Sequence, residues 1–323
     1  MRAMILAAGL GTRLRPLTLV RPKVLVPVMG TPILDFWIGR LHKEGAEAVV
    51  INGFHLAGQL AAEVGKRTWP IPVEVRVEPM LLDTGGGIRN VLDFFGDEPF
   101  AVINGDIVCD APLAELYRIH MVSGNPVSLL MHDRKAFNNV AVSEEGFVMG
   151  FGQEASHLAR NHPGTRLLAF TGIHFTHPDV VARLSRGQPM SILPLYRQLI
   201  REGNPPRALF HPNLYWREMG SIERYQSLNE ELSRLDSDFI APLQTGHAQY
   251  IHPEADIAPN VHMEGFVVVG AGCRIHEGAK LVDSILWDQV QVGPNSRLQG
   301  CILADGVKIQ GKHKNRLLIE AQE

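Results

Sequence analysis

Cysteine is scarce in this 323-residue sequence, which has three, Cys109, Cys273 and Cys301, far apart. Nothing in that spacing demands a disulfide, so each is expected to be a small packing residue in a reduced, cytoplasmic protein. Long apolar runs are also missing. No stretch approaches the length of a membrane span, and the first residues lack the extended apolar core of a secretory leader, so no membrane partner is expected. Neither sign of charge dominates: 31 Lys and Arg against 34 Asp and Glu leave a formal −3. That balance removes any global reason to expect nucleic acid, and a phosphate site would have to be a local cationic pocket. What remains, 45% apolar and 20% charged residues, is the composition of a globular protein, and the length suits two domains.

The richest stretch is the first thirty residues. A short apolar run, Met4-Ile5-Leu6-Ala7-Ala8, leads into Gly9-Leu10-Gly11-Thr12-Arg13, with Arg15 and Lys23 close behind. This reads as a buried parallel-type strand ending in a glycine loop. Glycines let successive amides close around an anion, and the arginines and lysine supply charge for a polyphosphate. Two familiar phosphate motifs are absent. No Gly-Lys-Ser/Thr follows the glycines at Walker A spacing, and Leu14 stands where the third glycine of a dinucleotide fingerprint would fall.

The ordered pattern Leu6-Ala7-Ala8-Gly9-x-Gly11-Thr12-Arg13-Leu14-x-Pro16-Leu17-Thr18, followed by Pro22-Lys23 and Pro27-Val28, resembles the signature of the sugar-1-phosphate nucleotidyltransferases. The resemblance implies a three-layer, Rossmann-like α/β domain that joins an NTP to a sugar 1-phosphate. It assigns Leu6, Ala7, Ala8, Gly9, Gly11 and Thr12 to nucleotide binding, and Arg13 and Lys23 to catalysis beside the phosphates.

Apolar runs at 3–7, 48–51, 73–77, 100–103, 127–131 and 167–175 alternate with amphipathic stretches at 33–44, 56–64 and 113–121. That alternation independently argues for an α/β domain over 1–240 with a mostly parallel sheet, whose ligands sit beyond the carboxyl ends of the strands. After 73–77 comes Glu78, then Asp83-Thr84-Gly85-Gly86-Gly87 ahead of a helix expected over 88–95. Glycines at a helix start are expected to leave amides unobstructed for an anion. The family has a glycine loop here against the nucleotide, and this form looks closest to the N-acetylmuramate-1-phosphate uridylyltransferases. Gly85, Gly86 and Glu78 are therefore expected at the nucleotide, with Glu78 suited to uracil or guanine N–H donors.

The strand 100–103 ends in Asn104-Gly105-Asp106. A carboxylate at a strand end is a suitable Mg²⁺ ligand, and the family's metal-binding Gly-Asp falls here, which gives Asp106 a catalytic and a metal role. Its partner in the family motif W-x-D-x-G-T is replaced, because this chain has Trp216-Arg217-Glu218-Met219-Gly220-Ser221. Glu218 is the expected second ligand. The family's Glu-Lys-Pro lysine, which meets the sugar phosphate, has no counterpart after Phe151-Gly152-Gln153-Glu154. The sugar-phosphate side is assigned to Asn139, Glu154, Gly172 in Phe170-Thr171-Gly172-Ile173, and Arg217, with Arg166 a weaker cation.

Ile251, Ile257, Met263, Val269, Ile275 and Leu281 recur every six residues, and after five-residue breaks the stride resumes at Leu286, Val292 and Leu298, then Leu303 and Ile309. A six-residue period fits the hexapeptide β-helix, whose stacked aliphatics fill a triangular coil. A left-handed β-helix is expected over 248–311, similar to that of the mannose-1-phosphate guanylyltransferases, with a solvated charged tail at 312–323. A helix at 222–235 and residues 236–246 should link the domains.

The enzyme reading makes GTP or UTP the donor, Mg²⁺ the cofactor and a homo-oligomer, through the β-helix, the assembly. Two readings compete with it: a hexapeptide-repeat acyltransferase, and a catalytically weak nucleotide-sugar-binding regulator.

Overall fold

The computed structural model describes residues 1–235, 243 and 248–320. The linker expected at 236–246 lies, Leu243 apart, outside the described residues. Two compact units form, and they do not follow chain order: Met1–Leu10 joins Ile38–Arg217, while Gly11–Trp37 joins Glu218–Glu323.

The first unit is built on a sheet in the order Val148–Phe151, Val140–Val142, Arg166–Thr176, Phe100–Asn104, Arg2–Leu6, Ala48–Gly53, Val73–Val77. Val127–His132 also pairs with Arg166–Thr176, and Arg207–Phe210 with Val127–His132. The four strands from Phe100–Asn104 to Val73–Val77 are mutually parallel. Arg2–Leu6 lies at their centre, and Ala3, Met4 and Ile5 are wholly buried. A parallel strand covered on both faces reads as an unbroken apolar run, which is why this one was visible in the sequence. Helices Ala57–Gly65, Asp83–Asn90 and Leu113–Ser123 belong to the connections between strands. One helix starts earlier than expected. Asp83–Asn90 contains the three glycines, and a 3-10 turn Leu92–Phe94 follows it.

Three histidines lie inside this unit. His120 shares a hydrogen bond between Nδ1 and Ser128 Oγ (2.8 Å), His132 packs on Trp216, and His174 sits between Phe170 and Tyr196 with neither ring nitrogen hydrogen-bonded. Burial pushes the His174 imidazole down to about 3 and those of His120 and His132 down to about 4.

The second unit joins the N-terminal hairpin Pro27–Val28 and Thr31–Pro32 to helix Ile222–Arg234 and a stack of parallel coils. Ser221 caps that helix, its hydroxyl accepting from Arg224 N. In the coils, Ile257, Ile275, Val292 and Ile309 stand in register on one face. Met263, Leu281 and Leu298 do so on another, and Ile251, Val269, Leu286, Leu303 and Leu318 on the third. This is the left-handed β-helix that the six-residue stride implies. Cys273 and Cys301 are free and buried in its core, as Cys109 is in the first unit.

The stack runs past its expected limit at 311. Lys312–Lys314 pairs with Arg297–Gln299, and Leu317–Leu318 with Ile302–Leu303. Residues 312–318, expected within a solvated tail, therefore form a further partial coil, in which His313 takes the place of the aliphatic residue. No helix among the described residues is long and apolar enough to cross a membrane.

The buried histidines set a pH dependence. They are neutral in the fold, whereas in the unfolded chain they titrate near the ordinary 6.5. Between that value and about 3–4 the unfolded state binds more protons, so stability is full above 6.5 and declines as pH falls through this window. Urea unfolding at pH 7.5, 6 and 5 should give falling midpoints, and His174→Leu should flatten the slope.

Candidate active site

In the first unit, the carboxyl edge of the parallel strands gathers several of the expected residues. Leu6 is in register with Asn52 on one side and Asn104 on the other, so the segments that follow leave the same edge. Asn52 is the hub. Its Oδ1 accepts from Ala7 N (2.8 Å), and its Nδ2 donates to Glu78 Oε1 (2.7 Å). The other oxygen of Glu78 accepts from Leu82 N at 3.0 Å. Glu78 is only 3% exposed, and burial raises its carboxyl above the usual range against the hydrogen bonds from Asn52 and Leu82. Both of its oxygens therefore hold the loop to the strand. Sequence reasoning passed over Asn52, although a polar residue closing a buried apolar strand was the available signal.

The triple glycine answers to close approach. A side chain on Gly87 would meet Asn52 Nδ2 at 2.8 Å and Glu78 Oε1 at 2.9 Å. One on Gly85 would meet the Ser191 carbonyl group at 2.9 Å, and one on Gly86 would collide with the Gln188 carbonyl oxygen. Gly86 N donates to Met190 O (3.0 Å), and all three glycines are buried. The expectation of unobstructed amides is thus corrected at Gly86, whose amide is spent within the fold.

Asp106 follows at the same edge, after Gly105 N donates to Leu6 O (3.0 Å). Gly172, on the neighbouring strand, faces Asn104. Pairing is irregular between Phe170 and His174, Gly172 has a φ of +87, and a Cβ there would lie 2.5 Å from Asn104 Nδ2. Trp216 ties this bulge down, its Nε1 donating to Thr171 O at 2.8 Å. The carbonyl of Trp216 in turn accepts from two guanidinium groups, Arg217 Nη1 (2.8 Å) and Arg134 Nη2 (3.0 Å). Arg134 was not anticipated, and nothing in its local sequence marks it. Arg166 is instead placed over the Phe210 ring.

Asn139 and Glu154 belong to the other half of the Arg166–Thr176 strand, where Arg166–Leu168 pairs with Val140–Val142. Asn139 N donates to Leu168 O (3.1 Å) and its carbonyl accepts from Gly152 N (2.7 Å). Glu154 is exposed in helix Gln153–Asn161, with its carboxylate 3.7 Å from Arg197 Nε.

The second unit carries Gly11, Thr12, Arg13, Lys23 and Glu218. Gly11 has a φ of +59, and a Cβ there would come within 2.6 Å of the Thr18 methyl, while Thr18 Oγ1 donates to Gly11 O at 2.9 Å. Thr18 therefore shapes the turn that presents Thr12 and Arg13, both exposed in a 3-10 helix. Lys23 is half-buried in a second such turn, Lys23–Leu25, after Pro22.

Glu218 Oε1 is buried without a hydrogen bond and stands in ion-pair contact with Arg224 Nη1. A hard acceptor oxygen held in that way fits a divalent cation competing with the guanidinium. Among the described residues no three His, Cys, Asp or Glu side chains form a metal cluster. Mg²⁺ commonly takes one or two carboxylates and completes its sphere with water and substrate phosphates, so each of these carboxylates, Asp106 in the first unit and Glu218 in the second, has the chemistry of a ligand.

The Nucleotidyl transferase family model matches residues 2–234, and the GMPPB C-terminal domain model matches residues 246–316. The chain is 29% identical over 315 residues to a mannose-1-phosphate guanylyltransferase of Mycobacterium tuberculosis, covering 95% of this chain and 81% of that protein. It is 33% identical over 218 residues to an N-acetylmuramate alpha-1-phosphate uridylyltransferase of Caulobacter vibrioides, covering 62% of this chain and 85% of that one. Among solved structures, HddC from Yersinia pseudotuberculosis complexed with GMP-PN shares the fold. Its TM-score is 0.59 at 21% identity, over 71% of this chain and 98% of that one.

The packing of the glycine helix gives a direct check. Gly86→Ala forces a methyl onto a backbone carbonyl, and the overpacking should cost about 1–3 kcal/mol in urea unfolding. Unchanged stability would show that the neighbouring segment 188–192 yields.

Proposed function

We propose GTP as the donor for this chain, which belongs to the nucleotidyl transferase family and joins an NTP to a sugar 1-phosphate with release of pyrophosphate. The observation that carries the site assignment is the contrast between its two leading glycines. Gly11 is required by its left-handed backbone and by Thr18, whereas a Cβ on Gly9 would meet nothing within 4 Å. Gly9 is exposed, so a glycine there keeps the backbone open to a ligand rather than to the protein.

In this reading a phosphate oxygen of the sugar 1-phosphate attacks the α-phosphorus of the NTP in line. The new P–O–P bond forms as the bond to the β-phosphate breaks, and pyrophosphate leaves without a covalent enzyme intermediate. The protein contributes positioning and charge. Gly9, Gly11, Thr12 and Arg13 hold the triphosphate, and Lys23 stands at the phosphates that react. Leu6, Ala7 and Ala8 line the nucleoside with the helix of Gly85 and Gly86, whose placement Glu78 fixes. Asn139, Glu154 and Gly172 meet the sugar. Arg217 takes the acceptor phosphate, and Arg134, on the same carbonyl, supplies the second cation where the family's lysine is missing. Asp106 and Glu218 would hold Mg²⁺, which when bound supplies positive charge to the α-phosphate.

GTP is favoured because the guanylyltransferase relative matches across 95% of this chain, its C-terminal part included. UTP is the second reading, favoured by the higher identity, 33%, to the uridylyltransferase. A matrix of pyrophosphate release, pairing GTP, UTP, ATP, CTP and dTTP with mannose, glucose and N-acetylmuramate 1-phosphates, decides between them. GTP with mannose 1-phosphate should turn over fastest, and a UTP preference would overturn the donor assignment.

Lys23→Ala and Asp106→Ala should each lower kcat roughly a hundredfold or more with an unchanged circular dichroism spectrum. Arg134→Ala and Arg217→Ala should raise KM for the sugar phosphate about tenfold while leaving KM for the NTP near the parent value. Assembly is proposed as a homo-oligomer through the β-helix, where Ile251 in the first coil is 42% exposed. Light scattering at micromolar concentration should give a multiple of the 35.7 kDa chain mass.

A further inference from the structure

Within the second unit, the charged contact between the N-terminal segment and the β-helix is made by Arg21, which lies between the two halves of the N-terminal motif and two positions before Lys23. Its Nε donates to Asp305 Oδ2 (2.6 Å), and its Nη2 donates to Asp305 Oδ1 (2.7 Å) and to Asp288 Oδ2 (2.5 Å). The guanidinium also lies over the Trp287 ring, 5.4 Å from its centroid. The side chain of Arg21 is 15% exposed. A bidentate, partly buried contact of this kind fixes orientation as well as distance.

The two aspartates are held in place by the repeat. They occupy equivalent corners of successive coils, and each uses a carboxylate oxygen to accept an amide from the coil before it. Asp288 Oδ1 accepts from Ala271 N (2.8 Å), and Asp305 Oδ1 from Asp288 N (3.1 Å). The same corner reaches the segment a second time. Trp287 Nε1 donates to Tyr225 Oη (2.9 Å), and Tyr225 Oη donates to Pro27 O (2.8 Å). Trp287 and Tyr225 are both fully buried. The turn Lys23–Leu25 is thus pinned on each side, at Arg21 and at Pro27, by one corner of the coil stack.

We propose that the β-helix sets the position of the Lys23 turn through Arg21, Asp288 and Asp305, which makes these three positioning residues of the transfer reaction. The stack then acts on catalysis without touching substrate. This rests on the proposed role of Lys23 and goes beyond it, because it gives the C-terminal domain a part in turnover. Displacing a reacting group by about 1 Å can cost about a hundredfold in rate, so a partial loosening should be plainly measurable.

The test uses the full chain with Asp288→Asn and Asp305→Asn combined, assayed where circular dichroism shows parent and variant fully folded. The expected result is a kcat about tenfold lower with KM for the NTP within about twofold of the parent. Asp305→Glu alongside native Asp288, which keeps both carboxylates, should retain most of the rate. Adding the paired asparagines to Lys23→Ala should lower the residual rate no further, since the contact acts through that lysine. A parental kcat in the asparagine pair overturns the inference and leaves the nucleotidyltransferase reading intact. So does a further tenfold loss on top of Lys23→Ala, which would place the effect elsewhere. A parental kcat in Lys23→Ala alone overturns the role of Lys23, and the inference with it.

Discussion

The carboxamide of Asn52 is the interaction on which the first unit's edge depends. One small side chain at the end of a buried strand accepts from the backbone that leaves Leu6 and donates to the carboxylate of Glu78. Glu78 in turn fixes the start of the glycine helix through Leu82, and Gly87 must lack a side chain because Asn52 and Glu78 fill that space. A buried polar group is tolerated only when its partners are present. Here each partner belongs to a different segment, so satisfying the carboxamide also assembles the edge. Loss of any one member would leave the others buried and unsatisfied, which makes the network a cooperative element rather than a set of separate contacts.

Much of the architecture was legible because its physics is periodic. Fully buried parallel strands appear as apolar runs, and the coil stack appears as a six-residue stride whose two five-residue breaks fall at Leu281–Leu286 and Leu298–Leu303. Those breaks shorten a coil without disturbing the register of Ile275, Val292 and Ile309. The short strands Val140–Val142, Val148–Phe151 and Arg207–Phe210 were not recognised, since three or four residues carry no period. The end of the stack was misplaced because His313 interrupts the aliphatic pattern, although backbone pairing continues through it.

The candidate site was legible where the motif names consecutive residues and opaque where the fold brings distant ones together. The Gly9–Arg13 loop, Asp106 and Glu218 could be read from order along the chain. Asn52 offers only its polarity at the end of an apolar strand, and Arg134 offers nothing, because their importance lies in what they touch forty or eighty residues away. The glycines at 85–87 show a subtler failure. Their sequence suggests an open anion cradle, and their environment gives each a packing reason, Gly85 and Gly86 against residues 188–192 and Gly87 against Asn52 and Glu78.

The interleaving of the second unit also bears on how the chain is made. Residues 11–37 are synthesised well before the groups that hold them, Tyr225, Trp287, Asp288 and Asp305. Contacts spanning 267 and 284 residues, as Arg21 makes, carry a high loop-closure cost and form late. Residues 11–37 must therefore wait, without their native support, until Asp288 and Asp305 have been synthesised. For the same reason the coil stack is not a detachable module: a chimera that imports another protein's β-helix would have to import the matching residues 11–37 as well.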